Sequence, residues 1–501
     1  MRTASQSVLR GLGHGSSMVD PPLPPLTPLT PLVPPAPAAP AMPLTPAVPA
    51  VPPRAAPVPL PRTWPIGAYE IVGLLVGNGL LIAAMWIRHG GVERLTTPGG
   101  QLTALGQVTA LYGTYLALVQ LVLMSRSPWL DQVFGMDRLA AAHRWLGFAT
   151  VWLLLGHAVF TTTAYALGDG TNLLAELWTL ITTYPYVLMA TVSAGLFVAV
   201  AISSVRAARR RLSYETWYGI HLYAYLAIAL GFLHQLFVGA DFATDQIAAA
   251  YWIALYVVTI ALILAFRVGA PIRMSLRHQL RVTNVVTEGP NVVSIYISGK
   301  DMDRLAVHSG QYFVWRFLTR DGWWRGHPFS ISSAPNGRWL RITVKGLGDW
   351  SRQLQSMPIG TRVFIEGPYG VLTGARRTRP KVLLIAGGIG IAPLRALLEA
   401  LPARPGDLTL LYRARDERDI VYRAELETLA RSRGARVQYL LGRRDAAHDP
   451  LDGASLQRLV PALADHDVYL CGPVSMMQSV ERTLRDLGLP RRQVHVERFA
   501  Y

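Results

Sequence analysis

The sequence predicts a multidomain protein: an all-α bundle of six membrane-spanning helices, then an antiparallel β-barrel, then an α/β unit on a parallel sheet. Three observations predict it. The chain's 501 residues leave room for about three domains, and 51% apolar against 16% charged residues is too apolar for a wholly soluble chain of that length. Six apolar windows of bilayer-spanning length fall within residues 66–266. Beyond them the pattern changes to period-two alternation, and after Lys381 to short apolar strands alternating with helical stretches.

Residues 1–62 are dominated by Pro, Ala, Leu, Val and Thr. Such a run cannot continue a helix or donate a ladder of hydrogen bonds, so a disordered or polyproline-like tail is expected. Its prolines interrupt every window that could serve as a secretory signal. An inert spacer is the simpler reading; an adaptor-binding segment is the other.

The membrane unit is expected over residues 63–270, with spans Ile66–Trp86, Leu102–Met124, Trp145–Leu167, Tyr184–Ser204, Tyr218–Val238 and Ile247–Phe266. An even number of spans puts both chain ends on one side. Val205–Arg211 carries four arginines and Arg267–Arg281 another four, whereas Ala166–Trp178 and Gly239–Asp245 hold acidic residues and no basic ones. The positive-inside rule therefore places both termini on the cytoplasmic side of the cell membrane, with the loop bearing Arg88 and Arg94 running against the trend.

The net charge of +17 comes from basic residues clustered beside apolar stretches, without interleaved aromatics. The expected partner is the lipid bilayer, and nucleic acid is not expected. A single cysteine, Cys471, excludes an intramolecular disulfide, a four-thiolate iron–sulfur cluster and cysteine-rich zinc sites. Histidine is left to hold any redox metal.

Four of the twelve histidines lie within or at the ends of apolar helices: His143 and His157 on the third span, His221 and His234 on the fifth. Ionisable groups in hydrocarbon are costly and mark function. A 14-residue separation is a rise of ~21 Å with the side chains only ~40° apart, so His143 and His157 share a face. The 13-residue separation of His221 and His234 leaves them ~140° apart on an ideal helix. Either that helix is overwound or its histidines approach from different sides. Both spans run in the same direction, so His143 should lie level with His221 and His157 with His234. Two facing imidazoles suit a six-coordinate iron porphyrin, and two levels suit two b-type haems. A lone membrane histidine reads more simply as a packing residue or proton relay, and paired levels weigh against that.

In the expected β-barrel, residues 271–375, the run His327-Pro328-Phe329-Ser330-Ile331-Ser332-Ser333-Ala334-Pro335 offers an aromatic, Phe329, that can stack on a planar ring and a hydroxyl, Ser330, that can hydrogen-bond one. Gly348-Asp349-Trp350-Ser351 opens a helix with small residues suited to a diphosphate. In the expected nucleotide domain, residues 376–501, the strand Val382–Ala386 runs into Gly387-Gly388-Ile389-Gly390-Ile391-Ala392-Pro393. There glycines let a backbone approach a diphosphate, and Pro393 suits a first helical position. Arg413 and Arg415 close the next strand where an NAD-preferring site favours an acid, which points to NADPH, although Asp416 and Glu417 follow at once.

In this order, and together with the histidine spacings, the motifs resemble those of the ferric reductase and NADPH oxidase-like transmembrane family, whose soluble half is of the ferredoxin–NADP reductase type. The resemblance spans roughly residues 66–501. It implies FAD at His327, Pro328, Phe329 and Ser330, with His327 standing where soluble relatives often carry arginine. It makes Gly348, Asp349, Trp350 and Ser351 a second flavin element, and Glu366–Gly370 the turn closing that domain. Gly387, Gly388, Gly390, Pro393 and Arg413 become the pyridine-nucleotide site, and Cys471, Gly472 and Pro473 the element beside the nicotinamide. A near-terminal aromatic, Phe499 by its spacing from Glu497, would gate the flavin. Ser330, Cys471 and Phe499 are thus the expected catalytic residues, and His143, His157, His221 and His234 the expected metal ligands.

The expected activity is electron transfer from cytoplasmic NADPH through FAD and two haems to an outside acceptor, a ferric chelate or dioxygen. A membrane transporter or scaffold with a flavin- or nucleotide-sensing module is the reading from another class.

Overall fold

The computed structural model describes residues 67–239, 245–320, 322–442 and 449–498. The Pro-rich tail and Phe499 lie outside them. The first part is helical: α1 (Ala68–Arg88), α2 (Pro98–Leu123), α3 (Pro128–Phe134), α4 (Met136–Asp169), α5 (Leu173–Thr183), α6 (Val187–Ser204), α7 (Arg206–Arg209), α8 (Tyr214–Val238), α9 (Gln246–Ile263) and α10 (Ala270–His278). Six of these are long and apolar enough to cross a membrane, the last running from Gln246 to His278 through a π-helical turn at Leu264–Gly269. Leu74, Leu80 and Leu167 turn outward with about two-thirds of their surface uncovered, as side chains facing acyl chains do. The helix α4 begins nine residues before the expected Trp145 and is 34 residues long. Its first turns carry Asp137, Arg138 and Arg144, which hide them from an apolar window.

Packing within the bundle sets up the histidine levels. The helix α4 lies along α2, α8 lies along α6, and α4 and α8 do not pack closely on each other. Glycines permit the close α2–α4 contact: a Cβ at Gly106 would meet Thr161 Oγ1 at 2.5 Å, and one at Gly113 would meet Leu154 at 2.9 Å.

The flavin-type region is built from β1 (Arg281–Gly289), β2 (Val292–Ser298), β3 (Tyr312–Phe317), β4 (His327–Ser330), β5 (Trp339–Lys345) and β6 (Val363–Tyr369), with α11 (Asp349–Gln353) after β5. The expected closed barrel is here two three-stranded antiparallel sheets, β1-β2-β5 and β4-β3-β6. They meet at two seams, each with one isolated bridge, Arg281↔Arg362 and Ile331↔Ile342. The second seam stays short because β4 has four residues, one of them Pro328 without an N–H, and the chain then leaves the sheet. Phe313, Trp315, Phe317, Ile295, Ile342 and Ile365 fill the space between the sheets.

The last region alternates β7 (Lys381–Gly387), α12 (Ile391–Ala400), β8 (Leu408–Ala414), α13 (Arg423–Arg433), β9 (Arg436–Leu441), α14 (Gly453–Leu459), β10 (His466–Cys471), α15 (Val474–Asp486) and β11 (Val494–Val496). Its sheet is parallel throughout, in the order β11-β10-β7-β8-β9. Along β7, Val382, Leu384 and Ala386 join the core shared with α12 and α13, while Leu383 and Ile385 join the core shared with α14 and α15. The strand order reverses direction between β7 and β10, which opens the crevice where ligands of such sheets bind.

Candidate functional site

In the bundle, the His143 and His221 rings face each other with centroids 5.9 Å apart, and those of His157 and His234 with centroids 6.4 Å apart. The α4 members are oriented by α2. His157 Nδ1 lies 3.0 Å from the Gly106 carbonyl oxygen, and His143 Nδ1 lies 3.4 Å from that of Gln120. This leaves each Nε2 for the gap toward α8, the arrangement in which a second partner orients a metal-binding imidazole. His221 stacks on Trp217, 5.1 Å between centroids. The helix α8 is α-helical from Tyr214 to Val238, and both of its histidines face α4. The two ring pairs meet at 70° and 54°.

These pairs fit a bis-imidazole porphyrin iron. Two metal–imidazole bonds of about 2 Å put ring centres roughly 6 Å apart. Among the described residues no group of three or more His, Cys, Asp or Glu is placed to hold a bare ion. A centre that brings its own equatorial nitrogens is what a two-residue donor set can serve.

The flavin motif forms β4, with His327, Pro328, Phe329 and Ser330 opposite Trp315, Val314, Phe313 and Tyr312. Trp315 Nε1 donates to the Phe329 carbonyl at 2.8 Å. The hydroxyls of Ser330 and Ser333 are buried without partners among the described residues. His327 stacks on Trp350 at 5.3 Å. Burial, with the charges of Arg325 and Arg316, pushes its imidazole down to about 4, so it is neutral where an arginine would be charged. Ser351 Oγ accepts the Gly348 N–H at 2.9 Å, while Asp349 projects into solvent and pairs with Arg352.

The nucleotide motifs, far apart in sequence, lie side by side. A Cβ at Gly390 would meet the Cys471 carbonyl at 2.4 Å, and one at Gly387 would meet Pro473 at 2.8 Å, so neither position tolerates a side chain. Gly388 has φ +53. The helix begins at Ile391, which makes Pro393 its third residue instead of the expected first, still within the turn whose N–H groups lack helical partners. Arg413 stands beside Gly387 across the β7–β8 ladder, with a buried Nη1 that has no partner among the described residues. Arg415 is exposed. Cys471 is buried, and burial beside Glu497 holds its thiol well above the usual range, protonated.

Two features escaped the sequence reading. Glu497 is buried near Gly370, and burial, then the charges of Asp131 and Asp137, raise its carboxyl to about 8. Arg126, just past α2, pairs with Glu366 of β6 and lies over the Tyr369 ring at 5.7 Å. Glu366 and Glu497 both lie in runs quoted above, but their partners come from distant parts of the chain, so no local pattern announces these contacts.

Residues 109–232 match the ferric reductase like transmembrane component, 277–373 an FAD-binding domain and 384–482 an oxidoreductase NAD-binding domain. Ferredoxin–NADP reductase B of Sorangium cellulosum is 36% identical over 190 residues, 34% of this chain and 77% of that protein. The chain belongs to the ferric reductase-like transmembrane oxidoreductases with a ferredoxin–NADP reductase module. Flavohemoproteins of Burkholderia sp. and Vibrio cholerae are 31% and 33% identical, covering 44% and 34% of this chain. The chain spans 58% and 45% of their lengths. The flavohem-like FAD/NAD-binding domain of nitric oxide dioxygenase from Vibrio cholerae superposes with a TM-score of 0.37 at 25% identity, over 44% of this chain and 98% of that one. This family member is thus an integral membrane protein with FAD- and NAD(P)-binding domains.

Proposed function

We propose that this protein carries electrons from NADPH, through FAD and two bis-histidine haems, across the membrane to an acceptor on the far side, a ferric chelate or dioxygen. The observation that carries the reading is the pair of facing imidazoles at each of two depths, between helices that do not pack on each other. Bound FAD supplies the exchange of a two-electron hydride for single electrons, and bound haem supplies one-electron carriage.

The chain's own residues bind and orient. Gly387, Gly388, Gly390, Gly472 and Pro473 form the crevice for the nicotinamide nucleotide, and Arg413 offers an unpaired guanidinium to a 2′-phosphate, which favours NADPH. Phe329 and Ser330 contact the flavin ring, and Cys471, a protonated thiol, is a neutral neighbour for the nicotinamide. His327 and Trp350, with Gly348 and Ser351, hold the remainder of the flavin nucleotide. The gate would be Phe499. His143 and His221 would bind the haem nearer the flavin domain, because α2 ends beside Gln120 and leads straight to Arg126 and its flavin-domain partner. His157 and His234 would bind the farther one. The arginines of α7 support a cytoplasmic flavin side in a cell-membrane protein.

The test is NADPH-driven reduction in sealed vesicles of defined orientation, comparing dioxygen with an impermeant ferric chelate. Purified protein should show a paired-histidine haem spectrum that NADPH bleaches to the reduced form. Colourless protein, or reduction only on the NADPH side, would refute the reading.

A further inference from the structure

A buried charge network joins the flavin motif to the nucleotide helix. Arg341, on β5, donates its Nε to Ser332 Oγ at 3.1 Å and its Nη2 to the Ser332 carbonyl at 2.8 Å. The same guanidinium binds Glu425 of α13 through both carboxylate oxygens, at 3.1 and 3.2 Å. Glu425 also pairs with Arg395 of α12, and Arg395 pairs with Glu399 one turn further on. Glu399 then closes the circuit, because its Oε2 accepts the N–H of Ala334 at 2.7 Å. Arg341 and Arg395 are each only 3% exposed.

Such a network is a poor way to gain stability. Taking two guanidinium groups out of water costs about what their pairing returns, and the attested use of such a network is to fix register. The register fixed here is specific. Ala334 lies four residues beyond Ser330, on the segment that carries the flavin motif. Glu399 rides on the helix that starts directly after the nucleotide glycines, about 12 Å along its axis. One carboxylate thus ties the flavin segment to the element that holds the hydride donor.

We propose that Glu399 is a positioning residue for hydride transfer, holding the flavin segment 330–335 in register with the nucleotide loop 387–390. It touches neither substrate nor cofactor. In the step it serves, a hydride, one proton with two electrons, would pass from NADPH, leaving NADP+, to the flavin that segment 330–335 would hold. The donor–acceptor gap that this register sets controls the rate, since misplacement of about 1 Å costs up to roughly a hundredfold. The proposal rests on the functional reading above.

The test uses the full-length, FAD-loaded protein, mixed anaerobically with NADPH and followed at the flavin band. Glu399→Ala removes both the charge and the acceptor for Ala334; Glu399→Gln keeps an acceptor. The limiting reduction rate should fall about tenfold in Glu399→Ala and about twofold to threefold in Glu399→Gln, with the Kd for NADPH within about twofold of the parent. Hydrogen exchange on the cofactor-free full chain should show faster exchange across 330–336 in Glu399→Ala. A folded Glu399→Ala protein with the parental limiting rate overturns the proposal; if that variant does not fold, a Glu399→Gln protein with the parental rate and parental exchange across 330–336 does so. A parent protein that NADPH cannot reduce overturns the functional reading instead.

Discussion

Asp131, in the short helix between the second and third membrane helices, accepts a hydrogen bond from the Gly370 backbone N–H at 2.9 Å. Together with Arg126 on Glu366, and Arg376 on the Gln132 carbonyl, it fastens the flavin domain to the end of the bundle that holds His143. Glu366 is buried and receives a second arginine, Arg316, at 3.0 Å. Burial works against the Arg126 charge, but Glu366 and Tyr369 more than offset it and keep the guanidinium protonated.

Removing Arg126 should therefore separate two steps. Arg126→Ala leaves Glu366 with one cation and loosens the seam, at a cost of up to roughly 3 kcal/mol for a broken buried pair. Flavin reduction by NADPH should keep its rate, because the nucleotide site is untouched. Electron passage from flavin to haem should slow about tenfold or more. Stopped-flow absorbance at the flavin and haem bands reads both, and equal slowing of the two phases would contradict the docking role.

What was legible in the sequence was whatever local periodicity encodes. The five parallel strands were visible because alternate residues such as Val382 and Leu383 serve opposite cores, and the apolar windows because lipid demands them. The histidine levels followed from residue spacing on parallel-running helices. Their facing geometry on α8 did not, since ideal-helix arithmetic sets His221 and His234 apart, whereas both rings face α4. The start of α4 was masked by its charged first turns. Asp131 with Gly370, and Arg341 with Glu425, join residues 239 and 84 positions apart, and no short-range pattern announces such pairs.

Arg413 provides a test of nucleotide choice. Its buried Nη1 has no protein acceptor among the described residues, and it lies in register with Gly387. A guanidinium so placed discriminates by pairing with a phosphate that NADH lacks. Arg413→Gln should raise the KM for NADPH about tenfold and leave that for NADH within about twofold. Steady-state reduction of a soluble dye with either nucleotide measures the ratio, and an equal loss with both would assign Arg413 to folding alone.

The depth of the histidine pairs makes a prediction about stoichiometry. His157→Leu removes one of the proposed ligands of the pair farther from the flavin domain and spares the Gln120-oriented His143. Haem per flavin should drop from about two to about one, and the remaining haem should still be reduced by NADPH. Reduction of an impermeant acceptor on the far side should fall by at least about a hundredfold. Pyridine haemochrome content against flavin content decides the first point, and an unchanged ratio would remove His157 from the ligand set.

Glu497 makes the pH dependence of stability calculable in sign. Its carboxyl rises from the ordinary 4.5 to about 8, first through burial and then through the charges of Asp131 and Asp137. Between those values the folded chain holds a proton that the unfolded chain has released. Stability therefore decreases as pH increases, by up to about 1.4 kcal/mol per pH unit from this group. The contribution is whole below pH 4.5 and gone once pH passes 8. Glu497→Gln fixes the protonated shape without a titratable proton, so its Tm should lose this slope between pH 5 and 8 and exceed the parent's at about pH 8.5. Thermal melts of the detergent-solubilised full chain at half-unit pH steps measure it; parallel curves for the two proteins would place the Glu497 titration outside that window.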